Sequence, residues 1–167
     1  MTGTGSPVAA RTVGVAACVI SGEPGCVLVS DALGSCVAVA VYDPMLKLGG
    51  LLHLMLPDSA MDSAKAHKNP FMFADTGVAV MFRKLKARGA KPHRVVARLA
   101  GGAQLVGEYN ALEIGSRNHL AARKALLMQG VTIAAEAVGG SCSRTVHLHL
   151  GTGRFLVRES GGAEIDL

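Results

Sequence analysis

The chain has 167 residues, half of them hydrophobic, and a formal net charge of +5. That hydrophobic share excludes a disordered chain, and the length suits one domain with a sizeable core. Aromatic residues are only 4%, Trp is absent and the basic residues are scattered, which favours an ordinary solvated surface over a nucleic-acid-binding one.

Residues 1–7 are small and polar and lack the basic start of a signal peptide, so they read as a flexible tail before a single domain over 8–167. The apolar runs are strand-length, short of the roughly 18 residues of a membrane span. Cysteines 18, 26, 36 and 142 are irregularly spaced with no C-x-x-C, which points to reduced thiols and to the cytoplasm.

Residues 11–20 are apolar and β-compatible, 21–25 (Ser-Gly-Glu-Pro-Gly) are a turn, and 26–30 resume as a strand. Residues 27–57 hold two apolar runs around Asp43-Pro44. By alternation Val37, Val39 and Val41 share one face of the first run, with Cys36, Ala38 and Ala40 on the other. In the second run Leu52, Leu54 and Leu56 share a face, opposite Leu51, His53 and Met55. A tight turn at Pro44-Met45 pairs Asp43 with Leu46 and sets Cys36 across from His53. Gly49-Gly50 also permits a longer loop. In either register the Val and Leu rows stay together, and so do Cys36 and His53.

Residues 58–69 read as a polar, exposed loop. Asp75 is the expected N-cap of a helix with Val78, Met81, Phe82 and Leu85 on its apolar face and Gly89 at its end. A strand follows over 94–100, ending at Gly101-Gly102. Ser116 is the expected cap of a second helix, whose turns Leu120, Lys124 and Leu127 mark before Gly130. Residues 131–137 form a strand to Gly139-Gly140, and 144–150 with 154–158 form a hairpin. Two main helices are too few to cover every strand as βαβ units. The fold class is therefore α+β, a mixed β-sheet or sheets packed with helices.

A thiol beside an imidazole is the minimum equipment for nucleophilic attack on an acyl group. Cys36 and His53 are the candidates. Each has a plainer reading: Cys36 as a small buried hydrophobe, His53 as a satisfied residue in an apolar strand. His147 and His149 alternate in one strand and share a face that suits a metal, but no third ligand is apparent. Gly101-Gly102 and Gly139-Gly140 follow strands, either as tight turns or as the lining of a cleft.

The stretch L-G-S-C-V-A-V-A-V-Y-D-P followed by G-G-L-L-H-L-M-L-P resembles the signature of the CheD family, chemoreceptor glutamine deamidases of bacterial chemotaxis. The likeness continues with F-A-D-T-G-V from Phe73, L-A-G-G-A from Leu99, I-G-S-R-N from Ile114 and T-G-R-F-L-V-R from Thr152. It implies β-sheet with helices outside, akin to bacterial toxin-type cysteine deamidases. It implies hydrolysis of receptor glutamine amides with Cys36 as nucleophile and His53 as base and then acid, needing no cofactor or metal. The family has Thr six residues before the cysteine, where this chain has Ser30, and Ser30 inherits the role of orienting the imidazole. Locally, Ser30 also reads as a turn residue at a strand end. The implied partners are the cytoplasmic regions of methyl-accepting chemoreceptors. The alternative function is regulatory binding of a CheC-type phosphatase that acts on the response regulator.

Overall fold

The computed structural model describes residues 8–105 and 113–167. The expected tail, residues 1–7, lies outside them. The elements run β1 (Ala10–Thr12), β2 (Ala17–Ser21), β3 (Val27–Leu33), β4 (Val37–Asp43), β5 (Leu48–Leu54), α1 (Ser63–Lys68), α2 (Ala74–Ala87), β6 (Val96–Gly101), α3 (Ile114–Met128), β7 (Thr132–Val138), β8 (Arg144–His149), β9 (Phe155–Glu159) and β10 (Glu164–Asp166).

The strands form two five-stranded sheets. The first has the order β1-β3-β8-β9-β10 and the second β2-β5-β4-β6-β7. Both mix parallel and antiparallel pairs, with β1 parallel to β3 and β6 parallel to β7. The fold is α+β, as the sequence predicts.

Strand β4 shows why the layers stack as they do. It is buried along its whole length. Its odd residues Val37, Val39 and Val41 join Leu52 and Leu54 of β5, and they pack on Val78, Met81, Phe82 and Leu85 of α2 and Leu126 of α3. Its even residues Ala38 and Ala40 join Leu51 and face Leu28, Val146, Leu148, Phe155 and Val157 of the first sheet. The result is three layers: sheet, sheet, helices. Small alanines on the inter-sheet face let the two sheets approach closely, and each fully buried Leu or Val adds roughly 1.5–3 kcal/mol of transfer free energy. Among the described residues no helix covers the far side of the first sheet, where Val29, Thr145, His147, His149 and Leu156 are only half-buried.

The β4–β5 register differs from expectation. Asp43 pairs with Leu48, Val37 with Leu54, and His53 with Ala38 instead of Cys36. The connection is two residues longer because Asp43 caps it. Its Oδ1 accepts from the backbone N–H groups of Met45 (3.0 Å) and Leu46 (3.3 Å), and Lys47 takes up φ +50°. Arg94 holds the buried Asp43 carboxylate from the other side, Nη2 to Oδ2 2.8 Å. Both faces are as expected, because a two-residue shift preserves the pleat.

The helices correct three further expectations. Asp75 does not cap α2. It lies inside the first turn, where its carboxylate accepts from the backbone and hydroxyl of Ser59 (3.0 and 2.5 Å). Ser116 does not cap α3, which begins at Ile114 after Glu113 at φ +43°. Leu120 and Leu127, which mark turns of this helix, point outward, and its buried face is Gly115, Asn118, Ala122, Ala125 and Leu126. Residues 58–69 are exposed as expected but are not an irregular loop. They hold a 3-10 turn (Ser59–Met61) and α1, capped by Asp58 and Asp62.

No helix among the described residues is long and apolar enough to cross a membrane.

Candidate active site

Ser30 lies on β3 of the first sheet and His53 on β5 of the second. Both side chains are buried in the layer between the sheets, at 0% and 1% exposure. Ser30 shares the inward row of β3 with Leu28, which packs in the inter-sheet core. A bulge between Ser30 and Leu33, with Ala32 at φ +54°, ends the regular pairing of β3 with β8 and turns the chain toward Cys36.

The hydrogen bonds fix the tautomer of His53. Ser30 Oγ is 2.7 Å from the carbonyl oxygen of Val13 and 2.8 Å from Nδ1 of His53. A carbonyl can only accept, so the single hydroxyl proton goes to Val13. Oγ must then accept the proton on Nδ1. That leaves the lone pair on Nε2, a buried atom with no hydrogen-bond partner among the described residues. Burial pushes the His53 pKa below its ordinary value, against a smaller upward pull from the carboxylate of Asp31. The ring is therefore a neutral base at neutral pH.

Cys36 immediately precedes β4 and packs, half-buried, against the inter-sheet core on the same side as His53. It sits two residues along the strand from Ala38, the residue paired with His53. The turn that carries it is held by its carbonyls. Gly34 O accepts from Ala103 N–H (2.9 Å), Ser35 O from Asn118 Nδ2 (2.9 Å) and Cys36 O from Gly102 N–H (2.8 Å). Gly101 has to be glycine here. Its φ is +110°, and a Cβ would stand 2.2 Å from the Cys36 carbonyl oxygen.

The two glycine pairs, all four residues at positive φ, lie at the ends of β6 and β7 and are joined to each other, Gly139 N–H donating to Gly101 O at 3.0 Å. Arg144 braces them from β8, donating to Gly101 O (3.2 Å) and Gly139 O (2.8 Å) while its Nη2 pairs with Glu159 (2.8 Å). The sequence gives Arg144 no signal beyond its place at a strand start. Asn118 is likewise missed as a residue of the site, although it closes the I-G-S-R-N block.

His147 and His149 fall on the open face of the first sheet, away from this centre. His147 Nδ1 is 3.6 Å from the Glu164 carboxylate. Among the described residues no group of three or more His, Cys, Asp or Glu is placed to hold a metal ion.

A hydroxyl that orients an imidazole, a free imidazole nitrogen and a thiol on the same inter-sheet face are the parts of a cysteine-dependent acyl-transfer centre. Comparisons with known proteins give the family. The family described as CheD chemotactic sensory transduction matches residues 55–159. The probable chemoreceptor glutamine deamidase CheD of Solibacter usitatus is 47% identical over 149 residues, covering 89% of this chain and 88% of its own. The chemoreceptor glutamine deamidase CheD of Thermotoga maritima is 40% identical over 154 residues, covering 92% and 94%. This chain belongs to the CheD family.

Proposed function

We propose that the protein hydrolyses glutamine side-chain amides on the cytoplasmic regions of methyl-accepting chemoreceptors, giving glutamate and ammonia, and that it does so in the cytoplasm. The observation that carries the mechanism is the Ser30–His53 pair, which commits Nδ1 and leaves Nε2 as the proton acceptor. The thiol of Cys36 gives its proton to Nε2 as sulfur attacks the amide carbon. Gly34 N–H is given to Ala32 O (3.1 Å), so the backbone N–H groups of Ser35 and Cys36 are the candidate donors to the oxyanion. His53 returns the proton to nitrogen, the C–N bond breaks and ammonia leaves a thioester. Water then loses a proton to Nε2 and attacks the thioester carbon. The C–S bond breaks, and the proton returns to sulfur. No step calls for a cofactor.

Ser30 takes the place of the family threonine. It keeps the hydroxyl and gives up the stiff χ1 of a β-branched side chain, and the bond to Val13 O supplies that rigidity instead. Docking of a CheC-type phosphatase can coexist with catalysis, but an adaptor alone has no use for the buried Ser30–His53 pair.

The test is mass spectrometry of a receptor cytoplasmic fragment incubated with the protein. Each converted glutamine gains about one mass unit as an amide becomes a carboxylate. A folded protein that leaves the fragment unchanged, with no ammonia released, removes the deamidase reading.

A further inference from the structure

We infer that Asn118 is a positioning residue, a staple that sets Cys36 against His53, and the kinetic part of this inference rests on the deamidase reading above. The two protons of Asn118 Nδ2 go to two carbonyls from different parts of the chain. One is Ser35 O at 2.9 Å, the residue before the nucleophile. The other is Met55 O at 2.8 Å, two residues past the base. A planar NH2 group donates in two fixed directions, so it holds both segments at one separation. Asn118 is fully buried and comes from α3, which contributes no residue to the Ser30–His53–Cys36 set.

Packing alone does not account for an asparagine here. Its Oδ1 is buried with no hydrogen-bond partner among the described residues, an arrangement that costs stability. An apolar side chain of similar size would spare that acceptor but would take the Nδ2 donor away from Ser35 O and Met55 O. What the asparagine adds over packing is its hold on those two carbonyls, and asparagine is a poor helix former besides. The two bonds it makes are both to the chain that carries the reacting groups, and the tolerated cost is consistent with geometry kept for function. The glycines beside it allow the close approach. Gly115 lies so near the 102–103 turn that a Cβ would meet Ala103 O at 2.5 Å and Gly102 O at 2.6 Å, and Gly102 N–H is the donor to Cys36 O.

Asn118→Leu removes both donors and the orphaned acceptor at similar volume. Asn118→Ser keeps one short donor, cannot reach both carbonyls, and is the variant to read should the leucine protein fail to fold. For each, kcat and KM on a receptor fragment are measured beside the melting temperature and the rate at which iodoacetamide labels Cys36, located by peptide mapping. We expect kcat to fall roughly 10- to 100-fold, the scale of a misplaced reacting group, with KM little changed and Cys36 labelling slowed. A folded variant with wild-type kcat and wild-type labelling overturns the staple, as does a kcat loss that only tracks the folded fraction. Wild-type protein that does not act on the receptor overturns the deamidase reading instead, and the labelling rate still decides the role of Asn118.

Discussion

Ser30 and His53 belong to different sheets, yet Ser30 Oγ accepts the Nδ1 proton of His53 at 2.8 Å. The His53 imidazole is therefore oriented by the packing of one sheet on the other, and the inter-sheet core is part of the candidate site's geometry. Ser30→Ala should lower turnover, because the buried Nδ1–H and the Val13 carbonyl both lose their partner. An unmade buried bond of roughly 1–3 kcal/mol corresponds to about a 5- to 150-fold slower rate. Ser30→Thr restores the hydroxyl and should preserve turnover. Melting temperature is followed in parallel. Unchanged turnover per folded Ser30→Ala molecule leaves a Cys36–His53 dyad and takes Ser30 out of the site.

How far the sequence reached is clearest at β4 and β5. The faces were legible because alternation is set by the pleat, so Val37 and Leu52 share one core and Cys36 and His53 the other side. The register was not, because it depended on Asp43. Its carboxylate is anchored by Arg94, fifty-one residues away, and that long-range bond stabilises a longer loop than the local Asp-Pro pattern suggests. Helix α3 was legible as a helix, but the face it buries was not. Its large apolar residues Leu120 and Leu127 are exposed, and its packing face is small, Gly115, Ala122 and Ala125, so that it can lie close on Gly102. Ser30, Cys36 and His53 were legible chiefly through resemblance, since no spacing rule joins residues from separate sheets. Asn118 and Arg144 act through backbone carbonyls, and carbonyls leave no mark in a sequence.

The pH dependence follows from the burial of His53. Its pKa is depressed below the ordinary 6.5 by desolvation, with Asp31 pulling it partly back. Between 6.5 and the lower folded value the unfolded chain binds more protons than the native one. The stability contribution is thus full above 6.5 and is lost as the pH falls through the folded pKa. The acid limb of kcat/KM should likewise lie below 6.5, because Nε2 must be unprotonated to act as base. Asp31→Asn removes the upward pull and should move that limb to still lower pH. A limb above 6.5, or one that rises in Asp31→Asn, contradicts the neutral-base assignment.

Cys36→Ala should abolish deamidation and leave the fold intact, because the residue is only half-buried. The other three cysteines should be dispensable for chemistry, with different structural consequences. Cys26 is fully buried in the inter-sheet core, so Cys26→Ser puts a hydroxyl among apolar side chains and should cost about 1–3 kcal/mol. Burial pushes the Cys18 thiol up to about 12, which makes it inert to iodoacetamide at neutral pH. Cys142 is exposed and is the competitor for label. Low-dose labelling mapped by peptide should find Cys36 first, with activity lost in proportion. Label confined to Cys142 while activity disappears would falsify the thiol mechanism.

Two glycines with positive φ separate backbone strain from close approach. Gly130, at the end of α3, has φ +73° and nothing within 4 Å of where a Cβ would stand. Gly130→Ala should cost only the left-handed penalty of about 1–2 kcal/mol and leave turnover unchanged. Gly101 has φ +110° and would aim its Cβ at the Cys36 carbonyl oxygen from 2.2 Å, a contact with backbone that no rotamer relieves. Because Cys36 O also accepts from Gly102 N–H at 2.8 Å, the clash would push on the turn that carries Cys36. Gly101→Ala should therefore lose more than about 4 kcal/mol, the range reserved for severe steric or buried-network damage. Whatever folded protein remains should turn over slowly. Thermal melts of the two variants, paired with ammonia release per folded molecule, decide the matter. If Gly101→Ala is as stable and active as Gly130→Ala, the tight packing of Gly101 on Cys36 does not set the site's geometry.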